Sequence, residues 1–210
     1  MRKWRLVLTL AAALCLPVAG AQPAEAADVT VPEDVFQWVQ STSRQNYYFN
    51  KQQIKYAIGA DGHVDLNTLI VPTLRTYDDV QIRDVVTKRR WKMLPMDGYD
   101  RLIGAAEYLK INLKASTVTV VEHDDLDDTF TVITQDTSSI PPENYATLSE
   151  KDVDGCFYRA IIAYASAHRE ELIARTGATL SPADEKALKG ENTSAPKEQK
   201  SGRHKHKKGK

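Results

Sequence analysis

The stretch Glu107–Ile133, EYLKINLKASTVTVVEHDDLDDTFTVI, constrains the fold of this chain more than any other. Three short β-type runs follow one another. In the first, Leu109, Ile111 and Leu113 fall on one face, and Tyr108, Lys110, Asn112 and Lys114 on the other. In the second, Val118 and Val120 oppose Thr117, Thr119 and Val121. In the third, Phe130 and Val132 oppose Thr129, Thr131 and Ile133. A period of two over consecutive runs specifies a half-buried antiparallel meander. The segment His123-Asp124-Asp125-Leu126-Asp127-Asp128 reads as its second turn, since Asp is favoured in turns for its own hydrogen bonding.

Other runs extend the sheet. Phe36-Gln37-Trp38-Val39-Gln40 and the aromatic NYYFN at 46–50 have β character. Ile54, Tyr56 and Ile58 alternate with Lys55 and Ala57, the Asp61-Gly62 pair suits a hairpin, and Val64–Val71 alternates again. Pro72 cannot donate to a ladder and predicts a bulge or an edge. Asp78 or Asp79 can cap a short helix in which Ile82, Val85 and Val86 share a face, with a basic end at Lys88–Lys92.

After the Pro141-Pro142 link, Ser149 opens a long helix running to Arg175. Val153, Cys156, Phe157, Ala160, Tyr164, His168 and Leu172 recur on it at helical spacing. Its stripe is expected to seat on the Leu109/Ile111/Leu113 face. The fold class is therefore α+β: an antiparallel β-sheet meander packed by one long C-terminal helix, with a short helix in a connection.

The ends of the chain differ from its middle. Arg2, Lys3 and Arg5, the apolar run 6–18 and Ala19-Gly20-Ala21 form a secretory signal over residues 1–21, with cleavage as late as 26. Residues 28–178 are expected to form one domain. Residues 179–210 read as a disordered basic tail, too polar to offset the entropy of ordering. The formal net charge of zero hides an acidic domain joined to this basic end. Location is expected in the periplasm, the cell envelope or the medium.

Candidate chemistry is sparse. There is no Gly-rich phosphate loop, no Ser nucleophile elbow and no Cys/His metal spacing, so no catalytic residue and no cofactor are assigned. His123, Asp124, Asp125, Asp127 and Asp128 are candidate metal ligands, because hard cations take several oxygens from a compact loop. The competing reading is a solvated turn. Cys156, the one thiol after the signal, is a buried thiol, half of an intermolecular disulfide, or a nucleophile. Lys88–Lys92 with Trp91 either binds an anionic polymer or is a solvated helix end whose Trp91 packs on the core. Tyr47, Tyr48 and Phe49, with Trp38 and Tyr56, form either a protein-binding patch or a second half of the core. Arg203, Lys205, Lys207, Lys208 and Lys210 suit an anionic envelope polymer rather than nucleic acid.

The order of these features resembles the surface-adhesin protein E family. Trp38 precedes NYYFNKQQIKY; then come VDLNTLIVPTLRTYDD, YLKINLKASTVTVV, the acidic turn, TFTVI, IPPENYATLS and Cys156. The resemblance covers roughly residues 34–158. It implies an exported antiparallel sheet with little helix that acts by binding, as the family's adhesins bind host matrix proteins, and it carries over no catalytic residue. Family members often pair a Cys at the place of Leu113 with one near the end; here Cys156 lacks that partner. The expected function is a non-enzymatic envelope or surface binding module, adhesin-like, using the aromatic patch or an edge strand. The alternatives are a metal-binding protein or metal-dependent hydrolase, and a structural homodimer.

Overall fold

The computed structural model describes residues 30–193 except residue 139. Residues 1–21, expected to be a secretory signal, and the tail residues Arg203, Lys205, Lys207, Lys208 and Lys210 lie outside the described residues. The fold is α+β: one eight-stranded antiparallel sheet with helices on one side. The strands are β1 (Phe36–Ser41), β2 (Gln45–Asn50), β3 (Lys55–Ile58), β4 (Val64–Tyr77), β5 (Leu102–Asn112), β6 (Thr117–Asp127), β7 (Val132–Asp136) and β8 (Glu143–Asn144). They lie in the order β1-β2-β4-β5-β6-β7, with β3 also on β4 and β8 on β6.

Strand β4 is the spine. One flank pairs with β5 throughout, from Thr68–Asn112 to Thr76–Gly104. The other flank holds β3 from Val64 to Ile70 and then β2 from Thr73 to Tyr77. Pro72 stands in the gap where the second flank changes partner, a third solution to its missing amide proton beside the expected bulge or edge.

Register sorts the residues of one sheet face into rows. Leu69, Ile111 and Val118 make one row, and Val71, Leu109 and Val120 the next. Ile111 and Leu109 are fully buried, as the alternation predicts. Helix α2 (Val153–Ala167) covers these rows with Phe157, Tyr158, Ile161 and Ala165, and Leu172 of α3 (Arg169–Thr176) extends the core. Tyr47 meets Phe157 edge-on, with ring centroids 5.5 Å apart, and Phe49 meets Tyr164 at 5.0 Å. The next rows on the same face are polar: Phe49, Thr73, Glu107, His123, Asp136, and then Tyr47, Arg75, Ala105, Asp125, Thr134. Helix α1 (Asp79–Trp91) lies over this half, N-capped by the Asp78 carboxylate, which accepts from the Gln81 amide at 2.7 Å.

Several expectations are corrected. The acidic segment is a strand: β6 runs through Asp127, and the turn is Asp128–Thr131. The single long helix is two, divided at His168, whose amide donates to Tyr164 O at 3.0 Å and whose ring Nδ1 lies 2.9 Å from the same carbonyl, with no side-chain cap bond to α3. The buried stripe of α2 is rotated, so Val153 is exposed and Cys156 is half-buried. The Cys156 thiol donates to Glu150 O at 3.0 Å, outside the apolar core. Tyr47 and Phe49 are core residues and leave the candidate binding patch; Tyr48 is half-buried on the opposite face. Trp91 does not pack on the core. Within the tail read as disordered from 179, the segment SPADEKALK, for which one or two helical turns were expected, belongs to α4 (Pro182–Thr193), started by the Ser181 hydroxyl accepting from the Asp184 amide at 3.2 Å. Among the described residues no helix is long and apolar enough to cross a membrane.

Candidate functional site

The polar half of the sheet face and α1 enclose an open cleft of about 630 Å³. Its floor is Arg75, Tyr77, Glu107, His123, Asp125, Thr134 and Asp136. Its helical wall is Gln81, Val85, Lys88, Arg89 and Lys92, positions that recur on one face of α1. Leu94 and Pro95 close one end.

A single bulge places the floor. Tyr108 pairs with Glu122 but Leu109 with Val120, so Val121 is an extra residue in β6. A one-residue shift exchanges the two faces of a strand. Beyond Val121, His123 and Asp125 therefore point to the α1 side, opposite Glu107 and Ala105. The adjacent Val120-Val121 pair, where the alternation breaks, is the sequence signal of this event.

The floor is a chain of buried charges. His123 Nδ1 lies 3.1 Å from Glu107 Oε1, and its Nε2 lies 3.3 Å from Asp125 Oδ1. Both nitrogens face carboxylate oxygens, which only the doubly protonated ring satisfies. The Asp125 and Glu107 hydrogen bonds outweigh burial and raise the imidazole to about 9. Burial works against the Glu107 carboxylate, yet the His123 hydrogen bond and the Arg75 charge hold its pKa below the usual carboxylate value. Asp125 is held down in the same way by His123 and by the Tyr99 hydroxyl, which donates to Oδ2 at 2.5 Å. Burial, then this hydrogen bond, pushes the Tyr99 phenol up to about 12.

Two arginines tie the floor to the rest. Arg75 Nη2 lies 3.1 Å from Glu107 Oε2 and 3.2 Å from Asp154 of α2. Its Nε, Glu107 Oε2 and the Gln45 side-chain oxygen are buried without a hydrogen bond, and all three residues line the cleft. Arg89 lies 4.0 Å over the Tyr99 ring and 3.8 Å from Asp125, and its Nη2 donates to Pro95 O at 3.0 Å. Lys88 and Lys92, by contrast, form no ion pair among the described residues. With His123 charged, five cationic side chains line the cleft against three carboxylates.

The five metal candidates separate. Only His123 and Asp125 meet, joined by Glu107. Asp124 points to the other sheet face, beside Glu122. Asp127 binds the turn amides of Thr129 and Thr131, both at 2.9 Å, and Arg101 at 2.6 Å. Asp128 is exposed and paired with Arg101. Among the described residues no group of three or more His, Cys, Asp or Glu side chains is arranged to hold a metal ion. The partners that matter include Arg75, Tyr99 and Glu107, which were not assigned from the sequence, and Arg89, which was read only as part of the basic run Lys88–Lys92. Each is distant along the chain from the acidic segment it serves, and nothing local marks it.

Compared with protein-family models, curated proteins and solved structures, the chain has no match.

Proposed function

We propose that this protein is an exported, non-enzymatic binding module of the cell envelope whose cleft under α1 takes a small polar anion. The observation that carries this is the pairing of a fixed ionic floor with two cations, Lys88 and Lys92, that stand on the helical wall without an ion pair among the described residues. The floor holds its charges by mutual hydrogen bonds, so it is preorganised and exposes little that must move. A ligand with carboxylate or phosphate groups would bridge the two lysines and receive further hydrogen bonds from Gln81 and Thr134.

The same geometry favours binding over turnover. The cleft lining includes no Ser or Cys. His123, raised to about 9, is a fixed donor at neutral pH rather than a base. Titration with citrate and with inorganic phosphate, followed by amide NMR, tests the proposal. Shifts should cluster at Lys88, Lys92, Thr134 and Gln135 and vanish in Lys88→Glu/Lys92→Glu. Absence of clustered shifts with either anion at millimolar concentration would remove the cleft as an anion site.

A second reading, adhesin-like pairing with a protein, is favoured by the outer strand. β1, FQWVQS, has no charged residue and carries an exposed Trp38 opposite Tyr48. Edge strands are commonly protected from pairing by charge or Pro. A peptide or a second copy of the chain could extend the sheet there. Light scattering of wild type and Val39→Lys would separate a β1-mediated dimer from a monomer.

A further inference from the structure

The C-terminal end of α1 carries two apolar side chains, Trp91 and Met93, that do not line the cleft. Trp91 is 81% exposed, Met93 93% and Leu94 42%, three large apolar residues in a row of four. Lys88, Arg89, Arg90 and Lys92 are interleaved with them, and no acidic residue occurs between Asp84 and Asp97.

The backbone here is a specific device. Leu94 N donates to Arg89 O at 3.1 Å, and Met93 N to Arg90 O at 3.0 Å. These are the two bonds of a Schellman cap, with Met93 as its left-handed residue at φ 51°. Glycine normally fills that position because a side chain there is strained. Met93 accepts the strain and buries almost nothing in return. Arg89 bonds Pro95 O, which ties the cap to the segment that follows it, and the same guanidinium stands 4.0 Å over the Tyr99 ring and 3.8 Å from Asp125 of the floor. The result is a rigid projection with an apolar tip and a basic collar.

We infer that this projection docks on an anionic phospholipid surface: Trp91 and Met93 enter the headgroup–acyl boundary, and Lys88, Arg90 and Lys92 meet the phosphates. Trp is favoured at that depth, and basic residues beside an apolar tip bind anionic bilayers. A soluble polyanion would use the cations and the Trp91 ring, but it has no apolar phase for Met93 and Leu94. Trp91, Met93 and Arg90 do not line the cleft, whereas Lys88 and Lys92 do and are shared with the anion site, so the two readings are separated at Trp91 and Met93.

The basic C-terminal segment would bind the same vesicles, so the test must report on the projection itself. Trp38→Phe in the chain without residues 1–21 leaves Trp91 as its only tryptophan. On phosphatidylglycerol/phosphatidylcholine vesicles, Trp91 emission should shift to the blue and become shielded from acrylamide, with neither change on phosphatidylcholine alone. Met93→Ser should weaken partitioning about tenfold by removing one buried side chain, while citrate shifts in the cleft persist. Unchanged Trp91 emission on vesicles that demonstrably bind the chain would overturn the inference and assign binding to the basic segment. An equal shift and shielding with soluble polyphosphate would overturn it in favour of an anionic polymer.

Discussion

Removing the imidazole from the floor should change how stability depends on pH. In the folded protein His123 titrates near 9 instead of 6.5. At about 1.4 kcal/mol per tenfold, this difference corresponds to about 3 kcal/mol favouring the charged ring. The side chain is 34% exposed, and solvent screening leaves roughly 1.5–2 kcal/mol. The sign follows from linkage: a pKa raised on folding contributes fully below the unfolded value and is lost as pH rises through the folded one. Wild type should therefore lose about 1.5–2 kcal/mol between about pH 6.5 and 9.5 relative to His123→Gln, which has no imidazole to titrate there. Urea unfolding of both proteins across that range measures the difference, and groups common to both cancel. Parallel stability curves would refute the doubly bonded imidazolium. Below pH 6 the wild type should be the more stable of the two, because Glu107 and Asp125 keep their charged partner.

Two further substitutions test features of the backbone. A Cβ on Gly104 would lie 2.1 Å from Arg75 O in the neighbouring strand, so Gly104→Ala should cost about 3–5 kcal/mol in urea unfolding, since only the main chain can give way. Met93→Gly should raise stability by about 1 kcal/mol by relieving the left-handed strain, even as it weakens vesicle binding; a destabilised Met93→Gly would show that Met93 packs where the structure leaves it open.

The apolar half of the sheet was legible because Leu109, Ile111 and Val118 obey a strict period of two, and burial on one face alone produces that pattern. The polar half was not. Four Asp within five residues have the composition of a turn, and nothing local reveals that Arg89, His123 and the Tyr99 hydroxyl hold Asp125 in a strand or that Arg101 pairs with Asp127 and Asp128. The aromatic run 47–49 divides between faces, so composition alone pointed to a patch where alternation puts Tyr47 and Phe49 in the core. The α2 stripe was misplaced because apolar residues surround most of that helix, which leaves its rotation to be chosen by Tyr47 and Phe49 across the interface. Trp91 was misjudged for the opposite reason. α1 has no fully buried residue, so the usual rule that a helix hides its aromatic residues does not apply to it.

That property of α1 has an evolutionary corollary. The sheet rows beneath it are interlocked, since Arg75, Glu107, His123 and Asp125 each neutralise a neighbour and none can change alone without stranding a buried charge. The wall above carries Gln81, Lys88 and Lys92 on positions that contribute little to the core. Mutational drift can therefore rewrite the wall, and with it the identity of the ligand, while the floor stays constant. Homologous chains diverging in ligand preference are expected to differ at these wall positions and to retain the floor quartet together.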